Sequence, residues 1–115
     1  MITDRIAMAG DSQIEAYAHA VTSGIRGIIE EPVFDSLSEL NVPTLVLFGA
    51  EDRVIPNHMY NPDLNQQLLL NKAQQEIPHA ETHLIPAGGH LVMFEQAEVV
   101  NSLILDFVKE SHLRR

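Results

Sequence analysis

The sequence has no cysteine and no tryptophan, and its only aromatic residues are two tyrosines and four phenylalanines. Without cysteine there is no disulfide framework and no thiolate nucleophile or ligand. That absence does not fix a compartment, since exported proteins also dispense with cysteine. Basic residues are scarce as well. Seven Lys and Arg stand against sixteen Asp and Glu, a net charge of −9. Such a balance repels phosphate backbones and anionic membrane surfaces, so neither nucleic acid nor membrane is an expected partner. The single basic cluster, Arg114-Arg115, is too small to alter this. The longest apolar stretch, Thr44 to Ala50, falls far short of a membrane span. Met1-Ile2-Thr3-Asp4 does not open a signal peptide, because no basic residue precedes an apolar core. The expected location is cytoplasmic.

What is present is enough for one small domain. A length of 115 residues with 45% hydrophobic content suits an ordered globular chain. Repeats and low-complexity segments are absent. Ser12-Gln13-Ile14-Glu15 has the form of a capping box, and Ile14, Tyr17, Ala18 and Val21 follow at helical spacing. This predicts a helix over 12–23 with Gly24 as its stop, then a connection to Pro32. A short helix over 33–40 would pack Phe34, Leu37 and Leu40. The run from Val42 to Phe48 is apolar without alternation and is bounded by Pro43 and Gly49, which suits a strand covered on both faces. Asn61-Pro62-Asp63 resembles a helix start, with Leu64, Leu68, Leu69, Ala73 and Ile77 as the apolar face. Thr82 to Pro86 reads as a second strand, ended by Ala87-Gly88-Gly89. Val99, Val100, Leu103, Ile104, Phe107 and Val108 form two adjacent rows of a final helix.

Two strands joined through a helix imply parallel neighbours and a right-handed crossover. The expected fold class is therefore α/β. A two-stranded parallel sheet cannot cover itself, so this order of elements reads as the end of a larger sheet. Ligands of open α/β sheets bind outside the carboxyl ends of the strands. Two polar loops fall there, Gly49-Ala50-Glu51-Asp52-Arg53-Val54-Ile55-Pro56 and Gly88-Gly89-His90. A carboxylate beside a histidine is the orienting half of a nucleophilic triad, in which the acid fixes the imidazole tautomer and stabilises the imidazolium.

These residues resemble the α/β-hydrolase superfamily. Gly49-x-x-Asp52-x-x-x-Pro56 after Val42–Phe48 looks like that family's acid-bearing strand and loop. Gly89-His90, with Phe94-Glu95-x-x-Glu98 and the helix ending Ile104-Leu105-Asp106-Phe107-Val108, looks like its histidine loop and last helix. The order, acid before histidine, is the family's. The resemblance covers about residues 37–108. It implies an incomplete α/β-hydrolase fold, with residues 1–40 a cap remnant with connecting helices and residues 41–115 the C-terminal strand-helix-strand-helix unit. It assigns Asp52 as triad acid and His90 as general base, with a small-molecule substrate, most simply an ester, and no cofactor. Departures are Ala97 where the family often has proline, a longer segment between Pro56 and Ile77, and above all the nucleophile. No Gly-x-Ser-x-Gly turn occurs, and Gly10-Asp11-Ser12-Gln13-Ile14 lacks the final small residue. The chain alone is expected to be inactive, the serine coming from an N-terminal portion or another chain. The alternative is a non-catalytic remnant serving as an assembly or binding module.

Other polar residues invite simpler expectations. Glu51 is the alternative acid, but its place before the motif aspartate reads as solvated. Arg53 reads as a surface ion-pair partner of Glu51 or another acid rather than an anion binder, and Glu95 and Glu98 as helix-start charges. Gly88 and Gly89 read as conformational glycines for the exit from the strand. His79 and His83 are four apart, but Pro78 and the following strand argue against a helix that would align them on a metal, so surface or packing roles and no metal are expected. His19, His58 and His112 have no visible partners. Met59, Met93 and Phe94 are expected in the core rather than along a pocket. In the family fold, the strand over 43–48 has another parallel neighbour on the side away from 82–86. An open edge there predicts self-association or a partner.

Overall fold

A computed structural model of the chain describes residues 2–113. It falls into two compact units, residues 1–36 and 37–115.

The first unit holds helix α1 (Ile2–Ala9) and helix α2 (Ile14–Glu30). Its α2 differs from the sequence expectation at both ends. The capping box does not form: Gln13 is the N-cap and makes no side-chain cap bond. Asp11 instead accepts the Gln13 amide at 2.7 Å, forming an Asx turn before the helix. Gly24 does not stop the helix. A glycine costs only about 1 kcal/mol against alanine inside a helix, and Arg26 and Glu30, paired at 2.7 Å, span the next turn. The helix ends before Pro32, since the residue preceding a proline is disfavoured in the α region. No residue of α2 is buried, and Tyr17, Val21, Ile25, Ile28 and Ile29 form an exposed apolar stripe.

A 3₁₀ helix at Val33–Glu39 takes the place of the short helix expected there, and Phe34 and Leu40 are exposed rather than buried. The second unit then runs β1 (Leu45–Gly49), α3 (Gln66–Glu76), β2 (Glu81–Ile85), α4 (Val92–Glu95) and α5 (Ala97–Leu113). The strands pair in parallel, from Leu45 opposite Glu81 to Gly49 opposite Ile85. Mixed α/β architecture with a short parallel sheet and flanking helices is the fold class that the apolar runs predicted. Leu45 to Phe48 are only half-buried, however, not covered on both faces.

Helix α3 starts later than Asn61-Pro62 suggests. Asn65 is its cap and accepts the Leu68 amide at 2.9 Å, while residues 57–64 are taken up by turns. The later start rotates the face. Gln66 and Leu70 are buried, with Ile77 just beyond the helix, whereas Leu68 is exposed. The central cluster is Ile85, Val92 and Val100, with Leu47 and Leu103 against it. Only one row of α5 faces inward, through Val100, Leu103 and Phe107; Val99, Ile104 and Val108 are exposed. Met59, Met93 and Phe94 also lie exposed and take no part in the core.

Candidate acid–histidine site

Parallel pairing sends the exits of β1 and β2 to the same end of the sheet, and the ladder continues into both loops. Ala50 donates to the Ile85 carbonyl at 2.9 Å, and Glu51 to the Gly88 carbonyl at 2.8 Å. The approach is very close at Gly49. A Cβ placed there would sit 2.3 Å from the carbonyl oxygens of both Gly88 and Gly89. Glycine at this position lets one loop backbone lie on the other. The sharp exit of β2 is managed differently from the expectation. Among the described residues no glycine has positive φ, and the left-handed residue is Ala87 at φ 54°. Gly88 and Gly89 serve close packing instead, since a Cβ on either would meet Val92 or the Glu95 carboxylate at 2.7 Å.

This contact brings Asp52 and His90 together. The His90 ring presents Nδ1 to Asp52 Oδ2 at 3.0 Å. A carboxylate accepts there, so the geometry calls for the tautomer with a proton on Nδ1. The other oxygen, Oδ1, accepts the amides of Val54 at 2.7 Å and Ile55 at 3.0 Å. Asp52 is buried, 5% exposed, whereas the His90 side chain is 43% exposed. Burial pushes the Asp52 carboxyl upward. The bond from His90, the amides of Ile55 and Val54 and the His90 charge act against it, leaving the group below the usual aspartate range. Such an arrangement holds an ionised acid against one ring nitrogen. No hydrogen bond to His90 Nε2 occurs among the described residues.

Three supporting residues are not evident from the sequence. Gln66, buried at the start of α3, donates its amide to the Asp52 carbonyl. Glu95, expected as a helix-start charge, accepts the Gly89 amide at 2.6 Å and the Leu91 amide at 3.3 Å. Gln96 donates to the Ala87 carbonyl at 2.9 Å. A side-chain amide or carboxylate in a polar stretch reads as solvated until the fold shows what lies within its reach. Glu51 is exposed, as expected, but Arg53 makes no ion pair among the described residues. The rings of His79 and His83 have separate partners, the Val42 carbonyl at 2.9 Å and Glu81 at 2.7 Å. Among the described residues no group of acids and histidines is arranged to hold a metal, and no helix is long and apolar enough to cross a membrane. His112 lies among residues whose side chains are outside the described set.

An acid and a histidine on adjoining loops at the carboxyl end of a parallel α/β sheet define a class shared by many hydrolases. The chain is 33% identical over 73 residues to the 2-hydroxy-6-oxononadienedioate/2-hydroxy-6-oxononatrienedioate hydrolase of Burkholderia vietnamiensis, a match covering 64% of this chain and 22% of that protein. It is 35% identical over 79 residues to a hydrolase of the same name from Pseudomonas putida, covering 68% and 24%. An uncharacterized hydrolase of Bacillus subtilis is 28% identical over 97 residues, covering 84% and 32%. The chain thus spans between about a fifth and a third of the length of these relatives. No family model matches it, and no solved structure matches it. These relatives are hydrolases of the α/β-hydrolase superfamily, and the mixed α/β architecture of the chain, with its short parallel sheet and flanking helices, is consistent with part of that fold.

Proposed function

We propose that Asp52 and His90 are the acid and general base of a nucleophile–His–Asp triad whose nucleophile lies outside this sequence. The observation that carries the reading is the 3.0 Å contact between His90 Nδ1 and a buried Asp52 whose second oxygen is already occupied. In that role His90 Nε2 takes the proton of an attacking hydroxyl and later returns it to the leaving group, while Asp52 stabilises the imidazolium. The attacked centre is a carbonyl of a small molecule. An ester is the simplest case, and the 6-oxo acids named for the Burkholderia and Pseudomonas relatives are another.

The test is a chimera in which residues 37–115 replace the matching segment of the Pseudomonas putida hydrolase. Turnover of that relative's substrate is expected, with His90→Ala lowering kcat by at least about 10³-fold. A folded chimera that is inactive, or whose activity ignores His90→Ala, defeats the assignment. The chain alone should hydrolyse an activated ester no faster than free imidazole, because a base without nucleophile or oxyanion donors forfeits most of the stabilisation.

A non-catalytic assembly module is the second reading, and the exposed stripe of Tyr17, Val21, Ile25, Ile28 and Ile29 favours it. Both readings call for self-association or a partner polypeptide.

A further inference from the structure

The Gln96 side chain holds the start of the histidine loop at Ala87, and Glu95 alone grips the peptide groups that flank His90. Glu95 belongs to α4, a single turn of four residues, and reaches back across His90 to both flanking peptide groups. Its Oε2 accepts the Gly89 amide at 2.6 Å and its Oε1 the Leu91 amide at 3.3 Å. The Glu95 amide in turn donates to the Leu91 carbonyl at 3.1 Å. The carboxylate lies so close to Gly89 that a Cβ there would stand 2.7 Å from Oε2 and 3.0 Å from Oε1. His90 itself is 43% exposed and has one side-chain bond, the one to Asp52. With one side-chain bond to orient it, the ring also depends on where the backbone of Gly89 and Leu91 puts it.

From this we propose that Glu95 is a positioning residue for His90, its two oxygens pinning the peptide groups on either side so that the imidazole meets Asp52. The inference rests on the Asp52–His90 pair being the working unit of the site. A turn cap of purely local effect would stabilise α4 without influencing the ring. A positioning residue must alter the ring's own hydrogen bond. The tautomer of the neutral imidazole reports this, because the nitrogen that carries the proton is set by its partner.

The experiment uses the full chain with ¹⁵N-labelled histidine at a pH where the imidazole is neutral. In wild type the Nδ1–H form of His90 should dominate, and Asp52→Ala should return it to the distribution of free histidine. Glu95→Ala should lose at least half of the difference between those two. Glu95→Gln, with one accepting oxygen in place of two, should fall between Glu95→Ala and wild type. Exchange of the Gly89 and Leu91 amides should quicken by roughly tenfold or more in Glu95→Ala, the factor a charge-assisted hydrogen bond supplies. A wild-type tautomer ratio in Glu95→Ala, with Asp52→Ala displaced, overturns the proposal alone. No displacement in Asp52→Ala removes the pair and the proposal together. If Glu95→Ala does not fold, the near-isosteric Glu95→Gln decides by the same ratio.

Discussion

At the scale of single residues, Asp52 does two jobs with two oxygens. One closes a turn on the amides of Val54 and Ile55 and the other faces His90. The two can be separated by substitution. Asp52→Ala orphans both amides in a part-buried loop and should cost about 1–3 kcal/mol, the usual penalty for an unsatisfied buried group. Asp52→Asn keeps an accepting oxygen for the turn and should cost clearly less. Denaturant unfolding at neutral pH measures both. The acid has a pH signature as well. Its folded carboxyl lies below the usual aspartate range, so the stability it contributes is present above the unfolded value of about 4. That stability is lost as pH falls through the lower folded value. Wild type should therefore lose more stability than Asp52→Asn on passing below pH about 4. Equal acid losses in the two proteins would show that the carboxylate is not held down by its partners.

At the scale of elements, the site depends on how two strand exits meet. Gly49 is the point of contact, where a side chain would collide with backbone that cannot swing aside. Gly49→Ala should cost about 1–3 kcal/mol, as overpacking usually does, and should part the two loops. A midpoint of unfolding unchanged from wild type would count against the observed approach. The strands were legible in the sequence because their apolar runs end at glycines and prolines, and their order brought Asp52 and His90 to one end. Helix extents were less legible. Gly24 resembles a stop, yet a helix tolerates one glycine at a cost of about 1 kcal/mol, and Pro32 is the stronger punctuation. The register of α3 was hidden because two asparagines compete for the cap, and Asn65, not Asn61, reaches an amide. Gln66, Glu95 and Gln96 were illegible in principle. Each acts on a backbone group that only the tertiary fold brings within reach.

At the scale of the whole molecule, the unusual property is how much apolar surface stays in water. Ile25, Ile28, Ile29, Met59 and Phe94 are all more than half exposed. Among the described residues β1 pairs with β2 alone, and its outer edge is flanked by Leu45, Val46 and Leu47. In β2 the charged Glu81 is a side chain of the kind that discourages edge pairing. Self-association through β1 or α2 is the expected outcome, and it should weaken with dilution. Light scattering across a concentration series checks it, and a folded monomer at every micromolar concentration would defeat it. A different consequence follows from where the contacts of Asp52 and His90 begin and end. Every bond described for the two loops comes from residues 49–96. In engineering terms the piece to transplant is therefore residues 37–115, which carry both loops together with the core of Leu47, Ile85, Val92, Val100 and Leu103 beneath them.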